Sequence, residues 1–262
     1  MQQFINLLGR ILTNGQKVTT RGLTTIELLN EKIVINPYEV LYSEHNVRPF
    51  EKIKAYLQAE LAWYFEGSSD VKDIKKYAKM WEHISENGKA NSNYGKLVFY
   101  DTVNGEPFSY FNWCFSQLVS DVNSRKAIIL YNRPEYFYAT KDFICTQTQQ
   151  FFIRNGKLET TVYIRSSDAI RGLTFDIPWW STVQQMLMHA LKSYHYQDLR
   201  LGKMTVFIGS SHIYEEHQKL ASDLVKSKDV AFYNLKLLKA PELEKSFVHY
   251  YETLLNQNFS II

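Results

Sequence analysis

Cysteine is scarce: Cys114 and Cys145 are the two in 262 residues. That excludes a disulfide framework and points to a reducing compartment, so a cytoplasmic location is expected. No apolar run reaches the length of a bilayer span, and no signal peptide opens the chain. Low-complexity tracts, internal repeats and linker-like stretches are missing too. Residues 1–262 therefore read as one domain, long enough to bury a sizeable core. Neither sign of charge is in excess. A net charge of +3 is too weak to argue for nucleic acid and is compatible with a small anionic ligand. His212 and His217 are five residues apart, not a helical i,i+4 pair, and no HExxH occurs, so no metal is expected.

What is present concentrates between Phe143 and Asp176. Ile144 to Ile153 and Lys157 to Ser166 are β-branched and aromatic runs around Asn155-Gly156, a strong signal for a tight hairpin. Cys145 then starts one strand and Arg165 ends the other, and folding brings them together, since antiparallel neighbours lie about 5 Å apart. A lone cysteine in a strand reads by itself as a small buried hydrophobe. Beside a guanidinium it becomes a thiolate candidate, because the cation favours the charged, nucleophilic form.

The company of Cys145 is specific. Gln150-Phe151, Arg165-Ser166-Ser167-Asp168 and Gly172-Leu173-Thr174-Phe175-Asp176 follow it. In type and spacing the stretch resembles the thymidylate synthase superfamily: a nucleophilic Cys, Gln-aromatic, a turn, Arg-Ser-x-Asp, then Gly-x-x-Phe-Asn. The departure is at the last position, where Asp176 replaces Asn. An amide can accept from N3–H of uracil and donate to O4, whereas a carboxylate only accepts and would leave buried groups unpaired at about 1–3 kcal/mol each. Cytosine offers an amino donor at C4 and an N3 that can take a proton. Asp here, and Cys145-Thr146-Gln147-Thr148, resemble the deoxycytidylate hydroxymethylases of T-even phages. Without that likeness, Asp176 reads as a helix N-cap before the run from Ile177.

Taken in order, Met1 to Thr13 has the periodicity of an amphipathic helix closed by Asn14-Gly15. Gln16 to Thr25 reads as a basic polar loop before a strand from Ile26 to Ile35, with Arg21 or Lys17 the cation that the resemblance would send to a phosphate. Pro49 to Phe65 reads as a helix whose Glu60-Leu61-Ala62-Trp63-Tyr64-Phe65-x-Gly67 resembles the family's Glu-Leu-x-Trp-Phe-x-x-Gly. Glu60 would then organise water and move protons around the pyrimidine. Lys75 to Ile84 reads as a short helix carrying Trp81, implied to pack on folate. Asn91-Ser92-Asn93-Tyr94-Gly95 contains the family's Tyr-Gly, and Tyr94 would relay the C5 proton through water. Alone, Trp81 reads as core and Tyr94 as a loop tyrosine.

Pro107 to Ser120 reads as a helix, and Asn123-Ser124-Arg125-Lys126 before the strand Ala127 to Tyr131 resembles Asn-Ser-Arg-Arg. There the two cations would cross a dimer interface to the partner's phosphate, Lys126 without the bidentate fork of arginine. Pro178 to Tyr196 reads as a helix and Met204 to Ile208 as a strand. Gly209-Ser210-Ser211-His212-Ile213-Tyr214 resembles Gly-Asp-x-His-x-Tyr, whose His and Tyr hold the sugar 3′-hydroxyl; Ser210 replaces the Asp. A helix, a strand near Val230 to Leu238, a helix from Pro241 to Leu255 and an apolar tail, Asn258 to Ile262, complete the chain.

The resemblance implies an α+β fold of the thymidylate synthase type, a twisted mixed sheet flanked by helices, with a sheet face used for homodimerisation. It implies dCMP as substrate and 5,10-methylenetetrahydrofolate as co-substrate, with 5-hydroxymethyl-dCMP as product of a Cys145 adduct at C6. Cys145, Glu60, Tyr94 and Asp176 would be catalytic. Arg165, Ser166, Asp168, Asp176, His212 and Tyr214 would bind nucleotide, with Arg125, Lys126 and Arg21 at phosphate; Trp81, Glu60 and Asp168 would meet folate. A dCMP methylase, a dUMP-acting enzyme and a silent nucleotide- or RNA-binding homologue stand as alternatives. The likeness to phage enzymes suggests a viral source, with the host cytoplasm as the location.

Overall fold

The computed structural model describes residues 1–44, 49–106, 108–139, 141–194 and 196–235. Among them, six strands form one mixed sheet. Gln16–Thr20 (β1) and Leu23–Ile35 (β2) are antiparallel, and β2 runs antiparallel to the long strand Arg200–Tyr214 (β7). That strand lies parallel to Lys157–Asp168 (β6), which continues antiparallel to Thr146–Arg154 (β5) and then Ile128–Leu130 (β4). The order is β1-β2-β7-β6-β5-β4, with Glu39–Ser43 (β3) and Ala231–Asn234 (β8) pairing separately.

The expected hairpin forms at Asn155-Gly156, both at positive φ. Gln16 to Thr25 is not a loop. Its alternating β-branched residues pair as a second hairpin that turns at Arg21 (φ 52°) and Gly22 (φ 76°). The tight turn places Arg21 at the tip of this hairpin.

Gln2–Asn14 (α1) buries Phe4, Leu7, Leu8 and Ile11 against β2 and the helix Gln218–Lys226 (α6). Phe50–Glu66 (α2) follows Pro49 and ends at Gly67 in the left-handed region. The segment Lys75 to Ile84 divides into a 3₁₀ turn, Ile74–Lys76, and a helix, Met80–Ile84 (α3). Tyr110–Ser120 (α4) begins later than expected, because Ser109 accepts a hydrogen bond from the Asn112 amide and caps it; Pro107 lies outside the described residues. Leu173–Tyr194 (α5) begins five residues earlier than expected, with Pro178 inside it. It is buried along most of its length, and two of its buried amides donate to backbone carbonyls of neighbouring segments. Gln184 donates to the Leu158 carbonyl at 2.7 Å and Gln185 to that of Leu235 at 2.8 Å.

β7 is longer than the run 204–208 and takes in Gly209 to Tyr214. Its buried positions fall at Met204, Val206 and Ile208, then slip to Ser211 and Ile213; in β6, Leu158 to Ile164 alternate and the slip falls before Ser167. The strands remain in register through the slip, Ile164 opposite Ile208 and Ser166 opposite Ser210. A Cβ on Gly209 would come within 2.6 Å of the Arg165 carbonyl oxygen, so only glycine lets the strands approach so closely. Beyond this slip, Arg165, Ser166, Asp168, Ser210, His212 and Tyr214 all line one cavity. The helix Pro241 to Leu255, the tail and the end of the strand to Leu238 lie outside the described residues.

Candidate active site

A cavity of about 530 Å³ opens at this end of the sheet. Its walls come from the Arg21 turn, α2, α3, the segments around Tyr94 and Cys145, the end of β6, the start of α5 and the end of β7. Stretches distant in sequence therefore converge: Arg21, Glu60, Trp81, Tyr94, Cys145, Arg165, Ser166, Asp168, Asp176, His212 and Tyr214 are all lining residues.

Cys145 lies immediately before β5, and its carbonyl accepts from the Arg165 amide at 3.0 Å, so hairpin pairing continues to the cysteine. Arg165 fixes the segment further. Its Nε donates to the Ile144 carbonyl at 3.1 Å, Nη2 donates to the Phe143 carbonyl at 2.5 Å and reaches Sγ at 3.4 Å, and the guanidinium covers the Phe143 ring. The expected thiolate is nevertheless not the resting state. Burial pushes the thiol up to about 11; Arg165 opposes this, while Asp142 adds to it, as does Asp176 whenever it is ionised. Enclosure outweighs one cation.

Asp176 is the fourth residue of α5, its amide already bonded to the Gly172 carbonyl, so it is not an N-cap. Burial, with Glu60 and Asp168 nearby, raises its carboxyl well above the usual range. A neutral acid has one donor and one acceptor, where a carboxylate only accepts.

Glu60 is buried at 5 % exposure, which excludes an ordinary surface role. Burial pushes it up to about 7 against hydrogen bonds from Tyr56 and Tyr64. Tyr56, Glu60 and Tyr64 stand four residues apart on one face of α2. Tyr56 donates to Glu60 Oε1 at 2.8 Å and accepts from Trp81 Nε1 at 2.9 Å. Tyr94 is also buried, its ring stacked 5.6 Å from Tyr64. Its hydroxyl oxygen accepts from the Thr146 hydroxyl at 3.1 Å and the Thr146 amide at 3.4 Å, beside Cys145. Tyr56 and Tyr64 were missed from sequence, although their spacing from Glu60 could have found them.

Asp168 Oδ1 accepts from the amides of Ile170 and Arg171 at 2.8 and 3.2 Å, which ties the end of β6 to the turn into α5. Ser166 lines the cavity, and Arg165 Nη1 has no partner among the described residues. Between the two loop cations the geometry favours Arg21, which lines the cavity; Lys17 is exposed and pairs with Glu215 at 3.6 Å. Arg125 and Lys126 are exposed and lie outside this chain's cavity. His212 is kept neutral by burial, against the pull of Asp168 and Glu27. Sequence reasoning also missed Asp142, whose carboxylate accepts from the Ser92 amide and hydroxyl at 2.8 and 2.9 Å and clamps the Tyr94 segment to the Cys145 segment. Among the described residues no group of three or more His, Cys, Asp or Glu could hold a metal ion, and no helix is long and apolar enough to cross a membrane.

The cavity thus encloses a thiol under an arginine, two carboxyls raised by burial and an apolar aromatic wall. The family model described as thymidylate synthase matches residues 2–259, and the chain belongs to that family, a class of enzymes that transfer a one-carbon unit from folate to a pyrimidine nucleotide. It is 28 % identical over 208 residues to the deoxycytidylate 5-hydroxymethyltransferases of Enterobacteria phages T4, T2 and T6, covering 76 % of this chain and 80 % of each relative.

Proposed function

We propose that the chain converts dCMP to 5-hydroxymethyl-dCMP. The observation that carries this reading is Asp176: a carboxyl, not an amide, enclosed beside Cys145 and Glu60 and holding its proton. A neutral carboxylic acid complements cytosine edge to edge, its O–H donating to N3 while its C=O accepts from the 4-amino group. As that proton moves toward N3, charge is drawn from C6, the atom that Cys145 attacks. The T-even phage relatives are named for the same substrate.

The thiol ionises as the nucleotide enters, Arg165 Nη2 stabilising the sulfur anion as its proton leaves to cavity water. Addition at C6 makes C5 nucleophilic. Methylenetetrahydrofolate, when bound, supplies the electrophilic carbon. Trp81, Met80, Ile84 and Phe175 offer a flat apolar wall for it, and Trp81 is held by its bond to Tyr56. Tyr94, its oxygen saturated by Thr146 but its own O–H still able to donate, orders the water that removes the C5 proton. Glu60, poised near neutrality, accepts that proton in its ionised form and passes it to the tetrahydrofolate leaving group; ionised again, it serves as base for the water that adds to the exocyclic carbon, and the Cys145 thiolate is then expelled from C6. Arg21, Ser166 and the free edge of Arg165 hold the phosphate, joined by Arg125 and Lys126 of a second copy. Asp168 anchors folate and base, and His212 with Tyr214 the sugar.

The same neutral acid could turn over, accept from N3–H of uracil and donate to O4, which is the observation favouring dUMP as a second reading. Asp176→Asn decides between them. It should shift the ratio of kcat/KM from dCMP toward dUMP by roughly 100-fold or more; an unchanged ratio would mean that the base is read elsewhere.

A further inference from the structure

Glu27 lies on β2 directly opposite His212 on β7, and Asp168 on β6 lies opposite the same histidine from the other side. All three line the cavity. The Ser210 hydroxyl donates to Glu27 Oε2 and lies 3.5 Å from His212 Nδ1. A hydroxyl has a single hydrogen. With that hydrogen given to a carboxylate, Ser210 Oγ can meet Nδ1 only as an acceptor, which favours the neutral tautomer protonated on Nδ1; the Ser210 backbone also accepts from the ring. Nε2 is then left with a lone pair. Glu27 Oε1 has no hydrogen-bond partner among the described residues, so this end of the cavity presents acceptors.

We infer that Glu27, acting directly through Oε1 and through Ser210 on the His212 tautomer, selects a nucleotide with a free sugar hydroxyl. This rests on the nucleotide reading above and extends it. The ligand group must be a donor, which a 3′-hydroxyl is and a 3′-phosphate is not. Carboxylates on both sides of His212 would repel a 3′-phosphate, so the site takes a 5′-mononucleotide and rejects an internal position of a polynucleotide. Glu27 is a binding residue here and Ser210 a positioning residue.

The test is direct binding of dCMP, 2′,3′-dideoxycytidine 5′-monophosphate and deoxycytidine 3′,5′-bisphosphate to the full chain, by calorimetry, for the unsubstituted protein, Glu27→Gln and Ser210→Ala. The unsubstituted protein should favour dCMP over the dideoxy compound by about tenfold or more. Glu27→Gln should bind the two within about threefold of each other, and Ser210→Ala should lie between. Glu27→Gln should also regain bisphosphate binding. Should Glu27→Gln prove unfolded by thermal melting, Ser210→Ala alone must still reduce the dCMP preference. Equal weakening of all ligands by either variant marks a structural role and overturns the inference. Binding of dCMP by the unsubstituted protein without sensitivity to the sugar hydroxyl also overturns it while leaving the nucleotide reading intact. Absence of any nucleotide binding overturns both.

Discussion

At the scale of single residues the site stores protons. Cys145, Glu60 and Asp176 are all shifted toward their neutral forms, and burial is the largest cause for each. For Glu60 the consequence for stability has a definite sign. Its folded value of about 7 stands above the ordinary 4.5, so the folded state binds more protons between these values. Its contribution is full below about pH 4.5 and is lost as pH rises to 7, about 3 kcal/mol in all. Glu60→Gln keeps an oxygen to accept from Tyr56 but carries no charge. It should melt several degrees higher than the unsubstituted protein at pH 8, match it near pH 4.5, and lose kcat by about 100-fold or more. Equal melting at both pH values would contradict the buried-acid account. The identity of these residues was legible in the sequence because motif spacing survives. Their protonation was not. Arg165 beside Cys145 suggested a thiolate, yet the desolvation that defeats it depends on chain segments far away in sequence.

At the scale of elements, the phase slip shared by β6 and β7 turns a packed sheet into a site wall. Gly209 permits it, and Gly95 has a matching role under Tyr94, where a Cβ would fall 1.7 Å from the Tyr64 carbonyl oxygen. Gly95→Ala should therefore cost about 3 kcal/mol or more and displace Tyr94 from Thr146. Chemical denaturation and activity should both report it; a variant as stable as the parent would show that the approach is not as close as described. Hairpin chemistry at Asn155-Gly156 was readable from two residues. The hairpin at Arg21-Gly22 was not read, since its polar β-branched strands resemble a loop until pairing with β7 is known. The early start of α5 was hidden in the same way: Asp168 holds the amides of Ile170 and Arg171 and so starts the turn before any apolar period begins.

At the scale of the whole molecule, Arg125 and Lys126 point the account beyond one chain. Their backbone is pinned, Arg125 C=O accepting from Gln150 at 2.8 Å and Lys126 C=O from Trp113 at 3.0 Å, while both side chains stand in solvent away from the cavity. Across the sheet, Leu29 and Tyr163 are exposed at 63 % and 43 %, and Tyr163 stacks on Phe207 at 5.1 Å. We propose that this face meets a second copy, as the family resemblance implies, which would bring each pair of cations to the other copy's phosphate. Cys145→Ala should be inactive alone, and a chain carrying both Arg125→Ala and Lys126→Ala strongly impaired. Mixed after reversible dissociation, they should regain about a quarter of full activity, since a symmetric pairing restores one site in the mixed dimers. No recovery would place these cations outside the site.

The most direct measurement is of the product. Purified protein is incubated with methylenetetrahydrofolate and either dCMP or dUMP, and the nucleotide is weighed by mass spectrometry. The account predicts a hydroxymethyl group on dCMP with release of tetrahydrofolate. A methyl group with dihydrofolate, or modification of dUMP alone, would contradict it.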